Sequence, residues 1–265
     1  MKAMVLAAGL GTRLRPLTDD RPKALVEVGG RTMLEITLER LKRFGVHEAI
    51  VNTHHYAEMI EEYLRAHDGF GMRIEISHED ELLNTGGGLK KAAWFFLDGD
   101  FQARGARGAA RGESIDECPD EPFLVHNVDV VSTVDLGAMV RAHRESGALA
   151  TLAVQARSTS RYLLFDGDGR LAGRRKGTDG EPEWVGSHKS ATALAFCGIH
   201  VIAPRIFAEM KQEGVFSIID AYIELARKGE RVMAYRADGA QWRDLGRPES
   251  VEQAAGEMDA GMYGE

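Results

Sequence analysis

The first half of the chain alternates short apolar runs with segments of helical period, and this alternation restricts the fold more than any other feature of the sequence. Residues 2–7 run apolar after Lys2 and lead into Gly9-Leu10-Gly11, as a buried parallel strand feeding a loop would. Ala24 to Val28 reads as the next strand. Thr32 suits the cap of a helix that carries Leu34, Leu38 and Leu41 on one face and stops at Gly45. Ala49-Ile50-Val51 begins another strand, Tyr56 to Leu64 a second amphipathic helix, and Met72 to Ile76 an alternating strand. Gly86-Gly87-Gly88 opens a helix to Phe96, and Phe123-Leu124-Val125 forms a buried strand that ends at His126-Asn127-Val128-Asp129. Such alternation predicts an α/β fold in which helices cover both faces of a mostly parallel central sheet.

The second half reads differently. Ala148 to Val154, Tyr162 to Phe165 and Ala191 to Ile202 are strand-like, with Asp166-Gly167-Asp168-Gly169 as a turn, and Arg174, Arg175 and Lys176 are expected in another turn. Helices are expected over Pro204 to Met210, over Ser217 to Arg227 and from Pro248 onward, beside a smaller antiparallel lobe. Residues 101–122, rich in Gly, Ala and Arg and then acidic, have no period and read as an exposed insertion; phosphate contact by its arginines is the alternative. No Pro-, Ser- or charge-rich linker divides the chain, so one domain over residues 1–265 is expected.

Composition narrows the function. At 44% hydrophobic and 28% charged, the chain is a globular protein with a sizeable core. Its formal net charge of -8 argues against nucleic acid or an anionic membrane as partner, so any phosphate binding must be local. The N-terminal apolar run is too short for an export signal, and no stretch approaches the length of a membrane-spanning helix. Cys118 and Cys197 stand in unrelated contexts, which suggests a reduced cytoplasm and no disulfide.

The first loop, LAAGLGTRLRPLTDDRPKAL, gathers glycines, Arg13, Arg15 and Lys23 beside Pro16 and Pro22. Backbone N–H groups and cations together suit phosphate oxygens. The dinucleotide fingerprint fails because Leu14 follows Gly9 and Gly11 where a glycine is needed, and no Gly-Lys-Ser/Thr makes a P-loop. A plain tight turn accounts for the glycines but not for the cations. The run Gly9, Gly11, Arg13, Pro16, Pro22, Lys23 resembles the signature of the sugar-1-phosphate nucleotidyltransferases, also called nucleotide-sugar pyrophosphorylases. That resemblance implies a Rossmann-like fold, with residues 1–135 mainly binding nucleotide and 136–265 mainly binding sugar. It implies further that backbone from Ala7, Ala8 and Gly9 through Gly11 to Thr12 wraps the nucleotide, with Arg13 on the triphosphate and Lys23 on the reacting phosphate. Fixed positive charge is the main catalytic resource in such transfers.

A divalent metal normally aligns attack and departure through a few carboxylates. Asp129 ends a buried strand, and Asp244 lies in Trp242-Arg243-Asp244-Leu245-Gly246 in a second strand-end setting; a turn or helix cap is the alternative for each. The resemblance implies that this pair holds Mg2+, although Val128 stands where many members have glycine. It also implies that Thr85, Gly86 and Gly87 face the base, where small residues let a flat ring approach; the alternative is a glycine-rich helix start. His54-His55 is declined as a metal pair because adjacent side chains point apart, and His126 and Tyr162 to Phe165 are read as packing residues.

The likeness extends over nearly the whole chain, including Phe196-Cys197-Gly198-Ile199, and is closest to short bacterial enzymes that make UDP-N-acetylmuramate. It implies UTP or GTP and a sugar 1-phosphate as substrates, with mannose-1-phosphate and heptose-1-phosphate guanylyltransferases as competing members and a non-catalytic nucleotide-sugar sensor as the rival of another class. Arg161 is the candidate for an acidic sugar substituent, against the alternative of a solvated strand-edge arginine. The oligomeric state is left open.

Overall fold

The computed structural model describes residues 1–97, 121–186 and 190–263. Residues 101–120 of the expected insertion, and Cys118 within it, lie outside the described residues. Strands β1 (Lys2–Leu6), β4 (Glu48–Thr53), β5 (Arg73–His78) and β6 (Phe123–Asn127) form the parallel part, in the order β6-β1-β4-β5. Helices α1 (Met33–Arg43) and α2 (Ala57–Ala66) connect these strands. The Thr32 side chain caps α1 by accepting from the Glu35 N–H at 3.1 Å, and Gly45 ends it at φ 80°. Ala24 to Val28 is not one strand. Pro22 withholds an N–H and its carbonyl accepts from Leu25, so Lys23–Leu25 curls into a 3-10 turn before the short hairpin β2 (Glu27–Val28) and β3 (Arg31–Thr32).

The predicted helix from Gly86 to Phe96 is two pieces, α3 (Asn84–Lys91) and α4 (Ala93–Phe96). After β7 (Val130–Ser132), residues the sequence reading left unassigned form α5 (Leu136–Ser146), capped by Asp135 and stopped by Gly147 in the left-handed region. The second half adds β8 (Ala150–Gln155), β9 (Arg161–Phe165), β10 (Leu171–Lys176), β11 (Glu183–Trp184) and β12 (Thr192–Ile202). It closes with α6 (Ile206–Glu209), α7 (Ile218–Arg227), β13 (Val232–Arg236), β14 (Trp242–Asp244) and α8 (Pro248–Asp259). Arg174, Arg175 and Lys176 lie in β10 and not in a turn: the 166–169 turn makes a hairpin, and Arg174 pairs with Glu183 and Asp220.

The antiparallel strands do not stack as a separate layer. They extend the same sheet, in the order β11-β10-β9-β12-β6-β1-β4-β5, with β8 on β12 and β13 on β8. Apolar cores cover both faces, one built from Leu34, Leu38 and Leu41 and the other from Phe123, Phe165 and Tyr222. Among the described residues no helix is long and apolar enough to cross a membrane.

Among the described residues, three histidines are buried in this frame. Burial holds His126 and His200 neutral down to about 3, and His143 down to about 4. Unfolded, each takes up a proton near its ordinary value of about 6.5, so below that pH protons favour the unfolded chain. Stability is therefore fully present above about pH 6.5 and falls on acidification, by up to about 1.4 kcal/mol per pH unit for each histidine. Urea midpoints should drop between about pH 6.5 and 5.5, ahead of most carboxylates. A flat midpoint over that range would contradict the burial of these rings.

Candidate active site

The carboxyl edge of β1 and β6 carries the site, where open parallel sheets bind ligands. The loop after β1 folds on itself, with the Thr18 hydroxyl donating to the Gly11 carbonyl at 2.9 Å. At Gly11 (φ 65°) a Cβ would meet Thr18 Cγ2 at 2.9 Å and Lys23 Cβ at 3.1 Å, so glycine is required there by the chain itself. At Gly9 a Cβ would meet nothing within 4 Å. The two glycines of the motif thus differ: one makes the turn, and the other opens onto free space.

The 3-10 turn after Pro22 aims Lys23 at Asp129, and the ammonium bonds Asp129 Oδ2 directly, with both side chains largely buried. Asp129 follows β6 by two residues. Val128, before it, is outside the left-handed region, buried, and bonded through its N–H to the Leu6 carbonyl at 3.2 Å, so valine fits ordinary backbone. β14 pairs antiparallel with β7, placing Asp244 opposite Val130, and the Leu245 N–H donates to the Asp129 carbonyl at 2.8 Å. Asp129 and Asp244, far apart in sequence, therefore sit on adjacent backbones. Asp244 Oδ1 accepts from the Gly246 N–H at 2.9 Å. A Cβ at Gly246 would lie 2.6 Å from that oxygen and 2.7 Å from an Arg13 guanidinium nitrogen, which brings Arg13 to the same corner.

Four candidates thus converge: Arg13, Lys23, Asp129 and Asp244. Asp129 Oδ1 and Asp244 Oδ2 have no protein hydrogen-bond partner among the described residues. No group of three or more His, Cys, Asp or Glu suited to a metal occurs among those residues. Two carboxylates fit Mg2+, which keeps waters and takes one or two carboxylates together with substrate phosphates.

The glycine triplet is packed closely against other parts of the chain. A Cβ at Gly86 would strike the Phe216 ring at 2.4 Å, at Gly87 the Gly214 carbonyl at 2.3 Å, and at Gly88 the Glu79 carboxylate at 2.5 Å. The N–H groups of Gly86 and Gly87 donate to the Phe216 carbonyl at 2.9 and 3.2 Å, and Thr85 Oγ1 accepts from Ile218 at 3.0 Å. The room left by Gly86 and Gly87 is filled by the chain's own 214–218 segment. Asn52 and Glu79, which the sequence reading passed over, are both buried beside Gly88. Each stands at or just after the end of a parallel strand, the one signal that could have found them.

β12 changes neighbour within its length. It pairs with β9 over Thr192–Ala195 and with β6 over Ile199–Ile202, leaving residues 196–198 at a split in the sheet. Arg157 lies there, 3.5 Å from the Trp242 ring centroid, with Nη2 donating to the Phe196 carbonyl at 2.8 Å. Trp242 Nε1 donates to the Cys197 carbonyl at 2.8 Å, so this stack braces the strand that bears Asp244. Burial pushes the free Cys197 thiol up to about 11. Arg161 is exposed at the start of β9, opposite Lys176 of β10, while the pairing of β9 with β12 begins at Tyr162.

A glycine-rich loop, two cations and two carboxylates gathered at the carboxyl edge of a parallel sheet define a class, and the chain belongs to the nucleotidyl transferase family, whose model matches residues 2–170. It is an enzyme of that class. The chain is 35% identical over 253 residues, covering 94% of itself and 93% of the relative, to the N-acetylmuramate alpha-1-phosphate uridylyltransferase of Caulobacter vibrioides. It is 28% identical to the mannose-1-phosphate guanylyltransferase catalytic subunit beta of Danio rerio, covering 94% of itself and 62% of that longer chain. HddC from Yersinia pseudotuberculosis, crystallised with GMP-PN, shares the fold at a TM-score of 0.71 and 20% identity, over 97% of this chain and 99% of that one.

Proposed function

We propose that the enzyme joins UTP to N-acetylmuramate 1-phosphate. An oxygen of the sugar phosphate attacks the α-phosphorus, the bond from that phosphorus to the bridging oxygen breaks, and pyrophosphate leaves with the electron pair. The observation that carries this reading is the meeting of Lys23, Asp129, Asp244 and Arg13 at one corner. In it, the backbone from Ala7, Ala8 and Gly9 to Thr12 wraps the nucleotide, Arg13 neutralises the triphosphate, and Lys23 turns from Asp129 to the phosphate that gains charge. Asp129 and Asp244 would hold Mg2+, which would supply positive charge to the phosphates. Thr85 faces the base, while Gly86 and Gly87 seat its turn on residues 214–218. The likeness to the Caulobacter relative over nearly all of both chains supports the substrate pair. On this reading residues 1–135 mainly bind nucleotide and 136–265 mainly sugar, in a reducing cytoplasm that suits the buried thiol of Cys197.

Pyrophosphate release across a panel of sugar 1-phosphates with UTP and GTP tests the proposal. N-acetylmuramate 1-phosphate with UTP should lead. A lead for mannose or heptose 1-phosphate with GTP would replace the substrate, and nucleotide-sugar binding without turnover would make the chain a sensor. Arg161→Ala should raise KM for N-acetylmuramate 1-phosphate about tenfold and leave N-acetylglucosamine 1-phosphate unchanged, because only the former offers a carboxylate to the guanidinium fork. Equal effects on both sugars would remove Arg161 from the site.

Gly9 supplies a further prediction. Gly9→Ala should leave the thermal midpoint where it is, since the added methyl meets only open space, yet raise KM for the triphosphate by about tenfold or more if the ligand occupies that space. Gly11→Ala should instead destabilise the fold by about 1–3 kcal/mol, measured by urea unfolding, because the left-handed backbone and the contact with Thr18 both oppose a side chain.

A further inference from the structure

Asn52 and Glu79 are both buried, at 3% and 1% exposure, yet neither belongs to the motif residues. Asn52 is the last residue but one of β4, and Glu79 follows β5. Asn52 Oδ1 accepts from the Ala7 N–H at 2.6 Å and the Ala8 N–H at 3.3 Å. Its Nδ2 donates to Glu79 Oε1 at 2.7 Å, and Glu79 Oε2 accepts from the Leu83 N–H at 2.9 Å. The Asn amide, an acceptor at one end and a donor at the other, is suited to join two backbone donors to a carboxylate. The bridge runs from the first turn of the loop after β1 to the turn that opens α3. Gly88 is part of it, because a Cβ there would fall 2.5 Å from Glu79 Oε1 and 2.9 Å from Asn52 Nδ2.

We propose that the Asn52–Glu79 bridge positions the nucleoside triphosphate site, fixing the spacing between the loop at Ala7–Ala8 and the turn at Leu83–Thr85 so that both engage one nucleotide. This rests on the reading of those two segments as nucleotide-binding. Asn52 and Glu79 are positioning residues: they act through the backbone they hold.

The chemistry of the bridge gives a test by exchange of polarity. Asn52→Asp places a second carboxylate oxygen against Glu79, where a donor is needed. Glu79→Gln keeps a partner for Asn52 Nδ2 only by turning its NH2 toward the Leu83 N–H. The double variant N52D/E79Q restores every bond. Its new carboxylate would accept from Ala7, from Ala8 and from the NH2 of the new amide, whose carbonyl in turn accepts from Leu83. Titration of UTP and GTP, steady-state kinetics and thermal midpoints are measured on all four proteins. Each single variant should raise the Kd and KM of the accepted triphosphate by about tenfold or more, the size expected for one lost buried hydrogen bond, with KM for the sugar 1-phosphate unchanged. The double variant should recover most of that loss. Weaker midpoints with unchanged triphosphate KM would show a merely structural bridge and overturn the proposal, as would a double variant that regains its midpoint but not its triphosphate affinity. Should a single variant fail to fold, the folded double variant and the other single carry the same comparison. If the wild type binds neither triphosphate, the nucleotide reading itself falls, an outcome distinct from a wild type that binds while its variants bind equally well.

Discussion

Asp244→Asn is expected to cut pyrophosphate release by about a hundredfold or more while leaving the fold as it is. The asparagine Oδ1 can still accept from the Gly246 N–H, the bond that Asp244 Oδ1 makes, so only the charge on the free oxygen is lost. Asp129→Asn should reduce turnover as much but also lower stability, because Lys23 is left largely buried beside a neutral amide. Turnover at saturating Mg2+ and urea midpoints on the two variants separate these effects. Near-normal rates in both would remove the carboxylates from the reaction, and a midpoint loss in Asp244→Asn equal to that in Asp129→Asn would contradict the pairing of Lys23 with Asp129 alone.

Lys23→Ala carries the second large effect: on the proposed reading, in which the ammonium addresses the phosphate common to every accepted substrate pair, kcat should fall by about a hundredfold or more with each of them. Arg13→Ala should lose less, about tenfold, because its guanidinium is exposed and well solvated. Neither change should alter the ranking of sugars. A variant that kept its rate and switched sugar preference would move that cation into the second lobe.

How far the sequence could be read depends on whether the deciding contact is local. The parallel half was legible because its strands are continuous apolar runs and Thr32 and Gly45 mark their helix by local chemistry. Lys23 was recognisable from its motif, but the run Ala24 to Val28 passes for a strand until Pro22 imposes a turn, and that turn is what delivers Lys23 to Asp129. Arg174-Arg175-Lys176 has the composition of a turn, yet Glu183 and Asp220, distant in sequence, supply the partners that keep these cations in a strand. The glycine triplet shows the same limit. Its three neighbours, Phe216, Gly214 and Glu79, come from two other segments, and no spacing within residues 84–88 points to them. Asn52 is one of several polar residues at a strand end, with no motif to announce it; its role depends wholly on what the fold puts beside it.

The eleven-residue β12 is bonded to β8 along one side and to β9 and then β6 along the other, so the chain's two halves share one beam and have no linker between them. A cut between residues 135 and 136 would not release two independent bodies, because the sheet of the first half would lose β12 as its neighbour and keep an open, apolar flank. Within that beam, residues 196–198 are free of both β6 and β9, and the register with β8 shifts between Phe196 and His200. A shift of the backbone at that point would carry the Arg157–Trp242 stack with it, and so the strand that bears Asp244.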